Sequence, residues 1–215
     1  MKKNQSKIVY VPMEADIIHP GNLNILSHAR ELGYVIIGLY TDEAISLYKR
    51  TPLLNYEQRC NIVKNLVGVK EVCPQNSIDL TENIKKIKPD YIVHGDDWKT
   101  GYFKPIRDRV KDTLNQWGGK LIEPEYTKGI STTEIIDQIN YAGTTPDLRR
   151  KSLKRLIKLK PMLKMLEAHN GLTALIVEKI NYKDSNQLIK TFDGMWLSSL
   201  TVSTSKGQPD TELVD

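Results

Sequence analysis

Short apolar runs alternate with amphipathic segments along the chain, and most runs lead into a polar stretch. KIVYVP (7–12) is a continuous apolar run of strand length. The next segment, GNLNILSHARELG, carries Leu23, Leu26, Ala29 and Leu32 near helical spacing and stops at Gly33. VIIGLYT (35–41) predicts a second strand and DEAISLYK a helix. In NYEQRCNIVKNLVG, Asn55 is a good N-cap, and Ile62, Val63 and Leu66 fall on one side. VKEV, the helix LTENIKKIK stopped by Pro89, and the strand DYIVHGDD continue the alternation. A helix across 104–117 closes at Gly118-Gly119, and KLIEP is a fifth strand. STTEIIDQINYAG predicts a further helix, with Ser131 and Thr132 as cap candidates and Glu134 at capping-box distance from Ser131.

This rhythm predicts an α/β fold of parallel βαβ units in a doubly wound open sheet. Ligands of such sheets bind beyond the carboxyl ends of the strands, at the switch point. The polar interruptions fall there: HPGN after the first strand, TDE after the second, HGDDW after the fourth and YTKGISTT after the fifth. Their convergence predicts one site.

From residue 143 the pattern changes. Thr145 is an N-cap candidate and Pro146 takes the first position of a basic helix that stops at Pro161. Beyond it, PMLKMLEAHNGLTALIVEKI and FDGMWLSSLTVS read as strand, helix, strand. A parallel unit of about two strands cannot cover its sheet on both faces. The expectation is therefore either the start of a longer chain or a set of elements that dock elsewhere. The predicted organisation is a first domain over 1–142, a linker helix over 143–160 and a second unit over 161–215.

Composition narrows the function classes. No apolar run approaches the ~20 residues of a membrane helix, and no small-residue cleavage site follows the basic N-terminus, so no membrane partner is expected. Cys60 and Cys73 form no CxxC pair and are expected as reduced thiols of a cytoplasmic protein. The formal net charge is +5, and residues 147–165, with eight Lys and Arg against one Asp, carry +7 of charge while the rest of the chain is slightly acidic. No aromatic side chains interleave with those charges for base stacking, so a solvated basic helix is expected and no nucleic acid.

Each polar segment has a plain structural reading beside a chemical one. HPGN is a capped turn, but a glycine turn at a helix N-terminus also offers N–H groups and a positive dipole end to phosphate, with His19 as a side-chain donor. In 47–59, Lys49, Arg50 and Arg59 are either surface cations or partners of a triphosphate. In HGDDWK, Asp96 and Asp97 could accept hydrogen bonds from a ribose or a base amine, and Trp98 could stack or line the site. Adjacent carboxylates need donors, which favours the functional reading there. In TKGISTTE, Gly129 permits close backbone approach and Ser131, Thr132 and Thr133 supply hydroxyls at a helix start.

With these residues in view, the chain resembles the HxGH nucleotidyltransferase superfamily, and within it the cytidylyltransferases. HPGN stands where the family has HxGH, KRTPLLNYEQR looks like its Lys and "YEER" segment, HGDDW like its GDDW segment, and YTKGISTTEII like RTxGISTT, with Tyr126 where Arg is usual. The resemblance covers about 7–140 and implies a Rossmann-like fold. It implies attack of a phosphate or phosphonate oxygen on the α-phosphate of CTP, with release of pyrophosphate. His19, Asn22 (in place of the second His) and Lys49 would act on the triphosphate. Nucleotide contacts are implied for Pro12, Met13, Asp16, Gly21, Arg59, Gly95, Asp96, Asp97, Trp98, Gly129, Ser131, Thr132 and Thr133. Magnesium would arrive with CTP rather than on a protein site, and a homodimer is compatible with the family.

Residues 161–215 resemble the start of phosphoenolpyruvate mutase, of the isocitrate-lyase-like barrel superfamily. Trp196, Ser198 and Leu200 match its first substrate-binding segment, and Asp210 matches its mobile-loop Asp in a GxPDTE context. A full barrel takes ~250 residues, so this portion alone is expected to lack mutase activity. A fused cytidylyltransferase–mutase implies phosphonate biosynthesis, with an acceptor such as 2-aminoethylphosphonate. The alternative is a fragment of a bifunctional mutase whose N-terminal domain binds CTP without catalysis.

Overall fold

The computed structural model describes residues 7–49, 51–125, 127, 135, 146–183 and 189–208. The chain divides into two compact units, Met1–Ile45 with Thr51–Arg149, and Ser46–Arg50 with Arg150–Asp215.

The first unit is an α/β layer structure. Its elements run β1 (Ile8–Met13), α1 (Pro20–Leu32), β2 (Tyr34–Tyr40), α2 (Asp42–Ser46), α3 (Tyr56–Lys64), β3 (Val69–Gln75), α4 (Thr81–Ile87), β4 (Tyr91–Val93), α5 (Lys104–Asn115) and β5 (Lys120–Ile122). The strands form one sheet in the order β3-β2-β1-β4-β5, and every pairing is parallel. β1 is central and apolar on both faces, as a doubly covered parallel strand must be. Val9, Val11 and Met13 pack with Leu26 and Ala29 of α1 and Cys60 and Val63 of α3. Tyr10 points to the opposite layer, with Ile84 of α4 and Val110 and Leu114 of α5. Burying each such aliphatic side chain contributes about 1.5–3 kcal/mol.

The chain winds outward from β1 through β2 to β3, then crosses back to place β4 on the other side of β1. The order reverses between β1 and β4, so their carboxyl ends border the crevice of the sheet. One close approach fixes how β1 and β2 meet. A Cβ on Gly38 of β2 would stand 1.8 Å from the Tyr10 hydroxyl oxygen. That hydroxyl donates to Gln75 Oε1 (2.6 Å) and accepts from Asn83 Nδ2 (3.0 Å), which satisfies it inside the sheet's second layer.

The helix ends follow their local chemistry. α1 stops before Gly33, and Asn55 caps α3 in a reciprocal box in which its Oδ1 accepts from Gln58 N–H (2.9 Å) and Gln58 Oε1 accepts from Asn55 N–H (3.0 Å). One sequence expectation changes. DYIVHGDD is strand only over Tyr91–Val93, and Asp96–Trp98 forms a 3-10 turn because Gly95 ends the extended run. Of the helix expected at 131–143 only Ile135 is described, and it is helical; Ser131, Thr132, Glu134 and the Thr145 cap lie outside the described residues.

The second unit takes in most of α6 (Pro146–Leu159), which begins at Pro146, followed by β6 (Met165–Ala168), α7 (Gly171–Lys179), β7 (Asn181–Lys183), β8 (Ile189–Thr191), β9 (Gly194–Leu197) and α8 (Ser199–Ser205). β6 and β9 pair in parallel with α7 between them in sequence, and β7 and β8 form an antiparallel ribbon. The ribbon departs from the strand, helix, strand expectation, because NYK and IKT are too short and polar to show a period. Asp193 joins the end of α6 to β9 by accepting from Lys160 Nζ (2.5 Å) and from Lys164 N–H (2.8 Å). Trp196 and Leu200 are exposed within this chain, and Ser198 caps α8 by accepting from Thr201 N–H (3.2 Å). Asp210 lies outside the described residues. No helix among the described residues is long and apolar enough to cross a membrane.

Candidate active site at the carboxyl ends of β1 and β4

The loop after β1 is held from below. Ala15 takes a left-handed conformation (φ 54°), and the next residue, Asp16, is buried. Its Oδ1 accepts from Leu53 N–H (2.6 Å) and Leu54 N–H (3.3 Å). Arg59, from α3, completes the attachment and has no exposed surface. Its guanidinium donates to Glu14 O (2.5 Å), Leu54 O (3.2 Å) and Asp42 Oδ1 (2.6 Å). The loop after β1, the start of α2 and the segment before α3 are therefore joined through one buried cation. The sequence reading gave Arg59 a contact with nucleotide; the structure turns its guanidinium inward, where it positions the β1 loop.

His19 then caps α1. Its backbone is extended (φ −136°, ψ 168°), and its Nδ1 accepts from Gly21 N–H (3.2 Å). Accepting at Nδ1 places the neutral ring's proton on Nε2, which becomes the donor. Asn22 Oδ1 accepts from His19 N–H (3.0 Å), so the amide is oriented by the cap itself. The sequence reading left the turn's N–H groups open; Gly21 N–H is instead taken by the imidazole. A side chain on Gly21 would press on that ring, with a Cβ 2.9 Å from Cε1. No acidic residue stands in the first turn of α1, so the positive end of its dipole is unopposed locally.

Two further segments reach this helix. Asn24 Nδ2 donates to Thr127 Oγ1 at 3.4 Å, which places the beginning of TKGISTT beside α1. A Cβ on Gly95 would lie 3.8 Å from Ile25 Cδ1, so the turn after β4 borders the same helix. Asp97 is half exposed in that turn, and Asp96 is 3.5 Å from Lys99 Nζ. Trp98 is buried: its indole N–H donates to Glu123 Oε1 (2.7 Å), and His94 stacks on its ring (centroids 3.9 Å apart, planes at 16°). It packs behind the turn instead of presenting a face for a base.

The structure thus brings together His19, Gly21, Asn22, Gly95 and Thr127, with Asp16 and Arg59 beneath and the Asp96–Asp97 turn alongside. Pro12 and Met13 are buried within β1, below the site. Lys49 follows α2 in the stretch that groups with the second unit. Arg50, Tyr126, Gly129, Ser131, Thr132 and Thr133 lie outside the described residues. His94, Glu123 and Arg107 were missed. His94 lies within HGDDWK and Glu123 within KLIEP, where both were legible as strand-end polar residues, whereas Arg107 gave no signal on its helix. Among the described residues no cluster of three or more His, Cys, Asp or Glu could hold a metal. Asp16 Oδ1 is committed to the backbone N–H groups of Leu53 and Leu54.

The sequence model of the cytidylyltransferase-like family matches residues 14–138, more than half of the chain. The chain belongs to that family. Among the members it resembles is the ethanolamine-phosphate cytidylyltransferase of Dictyostelium discoideum, 33% identical over 134 residues, covering 61% of this chain and 36% of that one. The glycerol-3-phosphate cytidylyltransferase of Staphylococcus aureus is 31% identical over 126 residues, covering 58% of this chain and 88% of that one. The FAD synthase of Methanothermobacter marburgensis is 32% identical over 121 residues, covering 54% and 72%. The chain spans about a third of the length of the ethanolamine-phosphate enzyme. The family match begins at Glu14, at the end of β1, and takes in the α1 cap and both of the neighbouring turns.

Proposed function

We propose that this chain transfers CMP from CTP to a small phosphonate or phospho-alcohol with release of pyrophosphate. The observation that supports this most is the meeting of the capped N-terminus of α1 with Gly95 and Thr127 at the switch point, in a cytidylyltransferase-like chain. An acceptor oxygen attacks the α-phosphorus, the bond from α-phosphorus to the bridging oxygen breaks, and pyrophosphate leaves with the electron pair. The chain supplies position and charge stabilisation, as phosphoryl transfer requires. His19 donates from Nε2, and the α1 dipole and the Asn22 amide act beside it. Lys49 holds phosphate, and Gly129, Ser131, Thr132 and Thr133 bind it at the start of their predicted helix. Gly21 and Gly95 let the ligand approach the backbone, and Asp96 and Asp97 accept from the nucleoside or acceptor. Magnesium, entering with CTP, neutralises triphosphate charge.

The named substrates of the relatives favour a phospho-alcohol. The resemblance of 161–215 to phosphoenolpyruvate mutase favours a phosphonate such as 2-aminoethylphosphonate and assigns Trp196, Ser198, Leu200 and Asp210 to a mutase portion. A screen of CTP and ATP against ethanolamine phosphate, glycerol 3-phosphate and 2-aminoethylphosphonate, read as pyrophosphate release, tests the proposal. Release with CTP and one acceptor is expected; release with ATP alone would replace it with adenylyl transfer. One observation favours a second reading, CTP binding without turnover: Asn22, in the place of the family's second His, can never carry a positive charge. Calorimetric CTP binding with no pyrophosphate from any acceptor would establish that reading.

A further inference from the structure

Glu123 follows β5, and both of its carboxylate oxygens are occupied. Oε1 accepts from Trp98 Nε1 (2.7 Å) and Arg107 Nε (2.7 Å), and Oε2 accepts from Arg107 NH2 (2.7 Å). The bidentate guanidinium, donated from α5, fixes the plane of the carboxylate as well as its charge. The side chains are only 17% and 12% exposed for Arg107 and Glu123, so water competes little for these bonds. The hydrogen bonds from Arg107 hold the Glu123 carboxyl below the usual carboxylate range, with the Trp98 N–H adding to that effect.

The pair acts on one segment. Residues 94–98 are tied to β5 at both ends, by His94 N–H to Ile122 O (3.1 Å) and by the Trp98 indole to Glu123. Between these two anchors stand Gly95, Asp96 and Asp97. His94 closes the other side of the indole by stacking, and its Nδ1 bonds Gly95 O (2.8 Å). Trp98 is thus held at its indole N–H and on its ring face, while Asp96 lies 3.5 Å from Lys99 Nζ and Asp97 3.7 Å from His94 Nδ1 in the same turn.

We propose that Glu123 and Arg107 are positioning residues that set the Asp96–Asp97 turn for nucleotide binding, acting through the Trp98 indole. This rests on the nucleotidyltransferase reading of the same site. Glu123 touches no substrate in this scheme. Its loss acts through the turn, on nucleotide affinity more than on the chemical step.

The test compares wild type, Glu123→Gln, Arg107→Lys and Trp98→Phe by calorimetric CTP–magnesium binding, by KM and kcat, and by amide exchange of 94–100. Glu123→Gln keeps the shape and weakens the charge-assisted bonds; Trp98→Phe removes one bond and keeps the ring. Expected are a ~10-fold weaker CTP affinity in each variant, KM raised more than kcat falls, and faster exchange in 94–100 with β1 and α1 unchanged. The effects of Trp98→Phe and Glu123→Gln should not add, because they break the same contact. Asp79→Asn, which weakens in the same way the ion pair of Arg109 on the same helix, should leave CTP affinity unchanged. Wild-type binding with equal affinity in all variants overturns the positioning role and leaves the nucleotidyltransferase reading intact. A wild type that binds no CTP overturns that reading and this role together. Exchange that rises throughout the first unit would show a merely structural pair, and also overturns the role.

Discussion

Replacing Arg59 by Met tests whether this buried cation is a girder or a ligand. The side chain has no exposed surface, and its partner Asp42 is only 9% exposed. Met retains most of the volume and removes every donor. The Asp42 carboxylate then loses a 2.6 Å charge-assisted bond, keeping a bond from Tyr56 N–H (3.2 Å), while Glu14 O and Leu54 O lose theirs. Removing one member of a buried pair costs about 3–5 kcal/mol, because the remaining charge is uncompensated. At ~1.4 kcal/mol per tenfold, that is a hundredfold to several-thousandfold loss of amide protection in α3 and β1. A melting temperature lower by on the order of 10 °C should accompany it. Adding Asp42→Leu to Arg59→Met should restore part of the loss, since the stranded carboxylate is then gone. If Arg59→Met keeps wild-type protection in α3 and β1 and loses only CTP binding, the guanidinium reaches the ligand instead of holding the β1 loop.

Gly38→Ala should destabilise the first unit by several kcal/mol, because its Cβ would meet the fully buried Tyr10 hydroxyl at 1.8 Å; urea denaturation reads it, and an unchanged midpoint contradicts the packing. The contribution of Glu123 to stability depends on its ionisation: its folded pKa lies below the ordinary 4.5, so stability is fully present above that value and is lost as pH falls through the folded value. Glu123→Gln should therefore remove the part of the acid destabilisation that falls below pH 4.5, as seen by comparing wild-type and variant unfolding midpoints from pH 5 downward. Asn22→His should raise turnover or leave it similar, since the loss of one transition-state donor costs about 10²- to 10³-fold and Asn keeps a neutral N–H donor. A strong fall in kcat with intact CTP affinity would show that the Asn22 amide is required as it stands.

Much of the first unit was legible because its elements satisfy local rules. VIIGLY is apolar throughout, as a doubly covered parallel strand must be, and Asn55 makes the capping box that its side chain suggests. Carboxyl-end polarity led to α1, Gly95 and Thr127, because topology gathers strand ends whatever the details of packing. What the sequence hid were choices made by tertiary partners. Nothing local tells that Arg59 turns toward Asp42 rather than outward, or that Trp98 spends its indole N–H on Glu123 twenty-five residues away. The imidazole of His19 bonding its own turn at Gly21 is similarly a matter of one rotamer. The β7–β8 ribbon escaped because three-residue strands carry too little pattern.

In the proposed reaction the α1 cap works on the triphosphate of CTP during transfer to a phosphorylated or phosphonate acceptor. Pyrophosphate release from wild type and His19→Ala, with CTP, magnesium and each acceptor, tests it most directly. The prediction is release by wild type with one acceptor and near-abolition in His19→Ala at retained fold. Undiminished release by His19→Ala would contradict it.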